Sequence, residues 1–144
     1  MNRYLPYNPG NLPIKNSPFP GEEIFIELEG LPPCKKRGAS LRNPKHPRYD
    51  AFVALRSAAT KAMNGRAWYF GAVGIDLILY DNEEIDWWQQ NDYLGGIMDT
   101  LDGSSGHHFT YLPIVYEDDC QVSDTRTEFI LSDKPRYELR VRFL

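Results

Sequence analysis

A chain of 144 residues, 42 % hydrophobic and 25 % charged, has the length of one domain and the composition of a soluble globular protein. No stretch approaches the roughly 18 apolar residues of a membrane span, and a net charge of −4 with a pI near 5.3 excludes nucleic-acid binding by bulk charge. Cys34 and Cys120 stand far apart without a disulfide framework, which suits a reducing, cytoplasmic setting.

Residues 1–22 read as a proline-rich N-terminal arm, extended and without the apolar run of a secretory leader; residues 23–144 read as the folded domain. Ile24, Ile26 and Leu28 alternate with Phe25 and Glu27, which predicts a strand, and Gly30-Leu31-Pro32-Pro33 closes it. Cys34 to Arg48 is a basic loop. A helix capped by Asp50 follows, with Phe52, Leu55, Ala58, Ala59 and Met63 at helical spacing and Asn64-Gly65 at its end. Ala72 to Tyr80 predicts a second strand with Val73, Ile75, Leu77 and Leu79 facing inward. The acidic stretch Asp81 to Asn91 reads as a loop whose Trp87-Trp88 pair either splits between core and interface or stacks on an unpaired base. A short helix is predicted from Asp92 to about Leu101, striped by Leu94, Ile97, Met98 and Leu101. Its interior Gly95 and Gly96 each cost about 1 kcal/mol relative to Ala, which points to a close backbone approach. Strands are predicted at Pro113–Tyr116, Thr127–Leu131 and Tyr137–Phe143, the last two joined by a turn at Asp133-Lys134-Pro135. The order β-α-β-α-β-β-β makes an α/β domain with a mixed β-sheet and two main helices.

Charge is sorted along this chain. Lys35 to Arg66 carries nine basic residues against one acid, a balance of +8, whereas Ala67 to Thr125 carries twelve carboxylates and no Lys or Arg. Solubility alone favours interspersed signs. Separation suits a protein that brings a polyanion to a divalent cation, and it also arises by chance in a loop-rich chain.

Three constellations can carry chemistry. Glu117-Asp118-Asp119 follows an apolar strand end, and adjacent carboxylates repel one another unless a cation shares them; an acidic turn is the plain alternative. Asp92 and Asp99, seven apart, share a helix face, and Asp102 lies three beyond Asp99; Asp92 alternatively serves as a helix cap. His107-His108 lacks partners at a zinc-ligand spacing. Cys34 and Cys120 read as small buried apolar residues. Phosphate-cradling glycine motifs and a nucleophile elbow are absent from the sequence.

Three segments together resemble the RusA-type Holliday-junction resolvases, small phage and bacterial endonucleases. FIELEGLPPCKKR (Phe25 to Arg37) is similar to that family's opening strand and Pro-Pro-Ser-x-x-Arg loop. NDYLGGIMDTL (Asn91 to Leu101) resembles its Asp-x-Asp-Asn-x-x-x-Lys helix, and VYEDDCQV (Val115 to Val122) its Asp-Asp-x-Gln-Val element. The resemblance implies a RusA-like fold and a Mg²⁺-dependent homodimer in which clustered carboxylates activate water for phosphodiester hydrolysis. Asp119 then matches a metal ligand with Asp118 beside it, and Asp99 matches the later helix aspartate. Without gaps, the family's paired aspartates fall on Gln89 and Asn91 and its lysine on Gly95; a shifted register puts Asp86 and Asp92 in the vacated roles.

The leading expectation is a Mg²⁺-dependent endodeoxyribonuclease acting on branched or junction DNA in recombination or repair. Asp119, Asp118, Asp92 and Asp99 are its candidate catalytic residues, with Asp86 and Asn91 as further candidate ligands. Lys35, Lys36, Arg37, Arg42, Lys45 and Arg48 are the candidate DNA contacts. The alternatives are a catalytically impaired DNA-structure-binding protein on the same fold and a protein-interaction module whose acidic half docks a basic partner.

Overall fold

The computed structural model describes residues 16–34, 40–102 and 112–144; Lys35, Lys36, Arg37, most of the arm and the His107-His108 pair lie outside them. Four strands, β1 (Glu23–Glu29), β2 (Val73–Asp81), β3 (Val122–Leu131) and β4 (Arg136–Phe143), form one sheet in the order β1-β4-β2-β3. Two helices, α1 (Tyr49–Met63) and α2 (Trp87–Leu101), complete the expected α/β architecture. β2 and β3 run parallel with α2 as their crossover, and β4 lies antiparallel between β1 and β2. Among the described residues no helix is long and apolar enough to cross a membrane.

Period-2 alternation builds the core. Ile24 and Ile26 of β1, Val73, Ile75, Leu77 and Leu79 of β2, and Tyr137, Leu139, Val141 and Phe143 of β4 are buried on one face. They pack with Leu55, Ala59 and Met63 of α1 and Leu94, Ile97 and Leu101 of α2. Burying each large side chain contributes about 1.5–3 kcal/mol. The other face of the sheet is open, and β4 presents Arg136, Glu138, Arg140 and Arg142 there.

Several boundaries differ from the sequence reading. The second helix begins at Trp87 rather than Asp92, because Asp86 accepts a hydrogen bond from Gln89 N at 2.9 Å and Gln89 returns one, a complete capping box. Asp50 does not cap α1; Arg48 holds the cap position with no side-chain bond, and Asp50 lies in the first turn. Pro113 to Tyr116 is no strand. Only Tyr116 bridges Tyr69, while Ile114 and Val115 donate to Leu101 O at 3.3 and 3.1 Å. β3 starts five residues earlier than expected and does not pair with β4, since β2 separates them. The close approach implied by the α2 glycines is present at Gly96, where a Cβ would stand 2.1 Å from Pro33 O.

Candidate metal centre

α2 ends where β2's crossover turns back, and its last turn carries two carboxylates. Asp99 is half-buried; Asp102 is the C-cap residue, its N–H donating to Met98 O at 3.3 Å. The chain returns to this point at a single 3-10 turn, Asp119–Gln121, which leads into β3. Gln121 fixes that turn. Its Oε1 accepts from Glu117 N and Asp118 N at 2.9 and 3.1 Å, and its Nε2 donates to Tyr69 O and Gly71 O at 2.9 and 2.8 Å. Asp118 caps the turn, accepting from Cys120 N at 2.9 Å, and this bond holds its carboxyl below the usual range. The adjacent Asp119 is thereby left exposed and directed to α2.

One carboxylate oxygen from each of Asp99, Asp102 and Asp119 lies within 4.8 Å of the others. Tyr116 lies beneath them, fully buried, and donates to Met98 O at 3.1 Å. Burial first, then Asp102 and the other carboxylates, raise its phenol well above the usual range, so it remains protonated. Arg42 Nη2 bonds Asp102 Oδ1 at 3.1 Å and also donates to Asp99 O. Loss of water nevertheless pushes the Asp102 carboxyl up to about 7; Arg42 opposes this shift, and Asp99 and Asp119 add to it.

The donor set suits a hard divalent cation. Octahedral Mg²⁺ binds oxygens at about 2.1 Å, which places neighbouring ligands about 3 Å apart; carboxylates spaced up to 4.8 Å reach that by side-chain rotation. All-oxygen ligands point to Mg²⁺, Mn²⁺ or Ca²⁺ and away from zinc. Mg²⁺ ordinarily takes one or two carboxylates and fills its shell with water, so the exposed Asp119 and half-buried Asp99 would suffice to hold such an ion, with Asp102 behind them.

Of the sequence candidates, the fold brings together Asp99 and Asp119 and leaves four apart. Asp118 serves as a cap, as does Asp86. Asn91 and Asp92 are exposed on α2, and Asp92 stands about 10 Å along the axis from Asp99. It faces Cys34, whose thiol is raised first by burial and then by the Asp92 charge. The described arginines of the basic block also hold backbone in place. All four described arginines within it donate to the chain's own carbonyls: Arg42 to Asp99, Arg48 to Leu31 and Pro32, Arg56 to Thr100 and Leu112, Arg66 to Met63. Among the described candidates for DNA contact, Lys45 is the exposed one. Trp87 and Trp88 do not split between core and interface; both are exposed. Cys120 is exposed and Cys34 half-buried, against the expectation of two buried thiols.

Asp102 is the member of the carboxylate cluster absent from the sequence candidates, although its place one turn after Asp99 was a usable signal. No protein-family model matches the chain, and a search of curated proteins finds no match.

Proposed function

We propose that this chain is a Mg²⁺-dependent endodeoxyribonuclease of the RusA type, a cytoplasmic homodimer acting on branched DNA in recombination or repair. The observation that carries the proposal is the convergence of Asp99, Asp102 and Asp119 within 4.8 Å from two chain segments about twenty residues apart. The Asp-Asp-x-Gln element supports it as well: Asp118 and Gln121 shape the turn, and Asp119 brings its carboxylate to those of Asp99 and Asp102. When bound, Mg²⁺ would supply positive charge for the scissile phosphate and a water of lowered pKa. Asp119 and Asp99 would orient that ion, and Arg42 would hold Asp102 and the last turn of α2 in place. Incubated with four-way junctions, flaps and forks in Mg²⁺ or Mn²⁺, the protein is expected to nick at least one, and Asp119→Asn to abolish the cut. Failure to cut any of them in either metal overturns the proposal.

A second reading is a catalytically impaired binder of DNA structure. It is favoured by the guanidinium of Arg42 already seated on Asp102 and by neutral Gln89, Asn91 and Gly95 at the family's charged positions. It expects junction binding that weakens steeply with salt and is unchanged by Asp119→Asn.

A further inference from the structure

Trp87 and Trp88 open α2 and leave 59 % and 66 % of their surfaces in water. Their rings stack on each other with centroids 4.3 Å apart and planes inclined by 25°. An isolated exposed aromatic requires no explanation, but two stacked indoles make a contiguous apolar patch of the kind that marks an interaction surface. The mount beneath them is rigid. Ile85 is buried in the core just before them, Gln90 Nε2 donates to Ile85 O at 2.9 Å, and the Asp86–Gln89 capping box fixes the entry to the helix. A partner would therefore meet a preorganised surface, with little ordering entropy left to lose.

The charged residues flanking the pair in sequence are all acidic. Glu83, Glu84 and Asp86 are exposed immediately before the pair, and Asp92 is exposed after it. None of these four takes part in an ion pair among the described residues. The sequence supplies no Lys or Arg from Ala67 to Thr125 to offset them. We propose that the stacked Trp87–Trp88 pair, with Glu83, Glu84 and Asp86, is a docking site for a cationic, arginine-rich segment of a partner protein. Guanidinium groups stack on indole faces and fork onto carboxylates, so one residue type satisfies both halves of the site. A nucleic-acid strand stacking its bases there would bring phosphates against the same four carboxylates. The site is separate from the metal centre and does not depend on the nuclease reading.

The test titrates the full-length protein into fluorescein-labelled nona-arginine, read by anisotropy, in EDTA. Trp87→Ala/Trp88→Ala is expected to weaken binding about tenfold with far-UV circular dichroism unchanged, and Glu83→Gln/Glu84→Gln to weaken it further. Trp87→Phe/Trp88→Phe should keep part of the affinity. Nona-arginine binding that ignores the alanine pair overturns the proposal, because attraction to the acidic half would then be general. So does binding of single-stranded oligothymidine that the alanine pair abolishes, which would make this a nucleic-acid surface. Self-association in sedimentation that the same variant abolishes also overturns it, in favour of a second copy of this chain.

Discussion

Two acid-bearing regions of this molecule balance their charge in opposite ways. On the open face of the sheet five acids find a base. Arg136 meets Glu27 and Glu138 at 3.2 and 3.4 Å, Arg140 meets Glu23 at 3.5 Å, and Arg142 meets Asp76 and Asp124 at 3.0 and 2.7 Å. Gly74 makes room there: a Cβ would stand 2.5 Å from the Arg142 guanidinium, which lies across β2 between its two carboxylates. At the end of α2, three carboxylates converge, and Arg42 pairs with Asp102. The first pattern is a solvated surface in which each pair contributes little. The second crowds like charge around the buried Asp102, an arrangement that a bound cation relieves. Convergence rather than number of acids separates the candidate site from the surface.

The largest expected effect breaks that contrast directly. Arg42→Ala strands Asp102 and releases the Asp99 carbonyl, and should destabilise the protein by about 3 kcal/mol in urea unfolding. Arg140→Ala on the open face should change stability by less than about 1 kcal/mol. Equal losses would show that the two regions do not differ. Next comes the metal. Mg²⁺ at a hundred times its dissociation constant should raise wild-type stability by about 2.7 kcal/mol. Asp119→Asn should lose most of this rise, while Asp118→Asn should keep it, because Asn also caps a turn.

Much of the fold was legible because it rests on periodicity. Val73, Ile75, Leu77 and Leu79 declare β2, and Phe52, Leu55, Ala59 and Met63 declare α1. β3 was half hidden because it is an edge strand: Ser123, Asp124, Thr125 and Arg126 show no inward apolar alternation. Insertion of β4 between β1 and β2 is a long-range pairing that no local pattern encodes. The α2 start was legible and misread. Asp86-x-x-Gln89 is a capping-box spacing, but the acidic run around it resembled a loop. For the site, Asp119 and Asp99 could be picked by residue type and spacing. That four arginines donate to internal carbonyls depends on where distant backbone ends fall, and sequence carries no sign of it.

Acid and base titration should pull the two regions apart. Asp102 has a folded pKa of about 7 against an ordinary value near 3.9. Between those values the native state holds more protons than the unfolded one, so in EDTA this residue's contribution to stability is full below about pH 4 and is lost as pH rises through 7. Asp102→Asn should flatten that slope, and Mg²⁺ should reverse it by competing with the proton. Asp124 shows the opposite sign. The Arg142 hydrogen bond lowers its carboxyl, so its contribution is present above the usual carboxylate pKa and fades on acidification. A wild-type profile unaltered by Asp102→Asn would remove the electrostatic distinction between the regions.

The smallest expected effect is on the open face itself. Arg140 and Glu23 approach to 3.5 Å with about half of each side chain in water. A double-mutant cycle on the pair should give a coupling below about 0.5 kcal/mol that vanishes near 1 M salt, where the screening length is about 3 Å. The same cycle on Arg42 and Asp102, whose side chains are 11 % and 12 % exposed, should keep most of its coupling at that ionic strength, because screening ions cannot enter a pair closed off from solvent. A coupling at Arg140–Glu23 as large and as salt-resistant as that at Arg42–Asp102 would mean that the open face is itself dry. The contrast between paired surface charges and converging carboxylates would then have no electrostatic content.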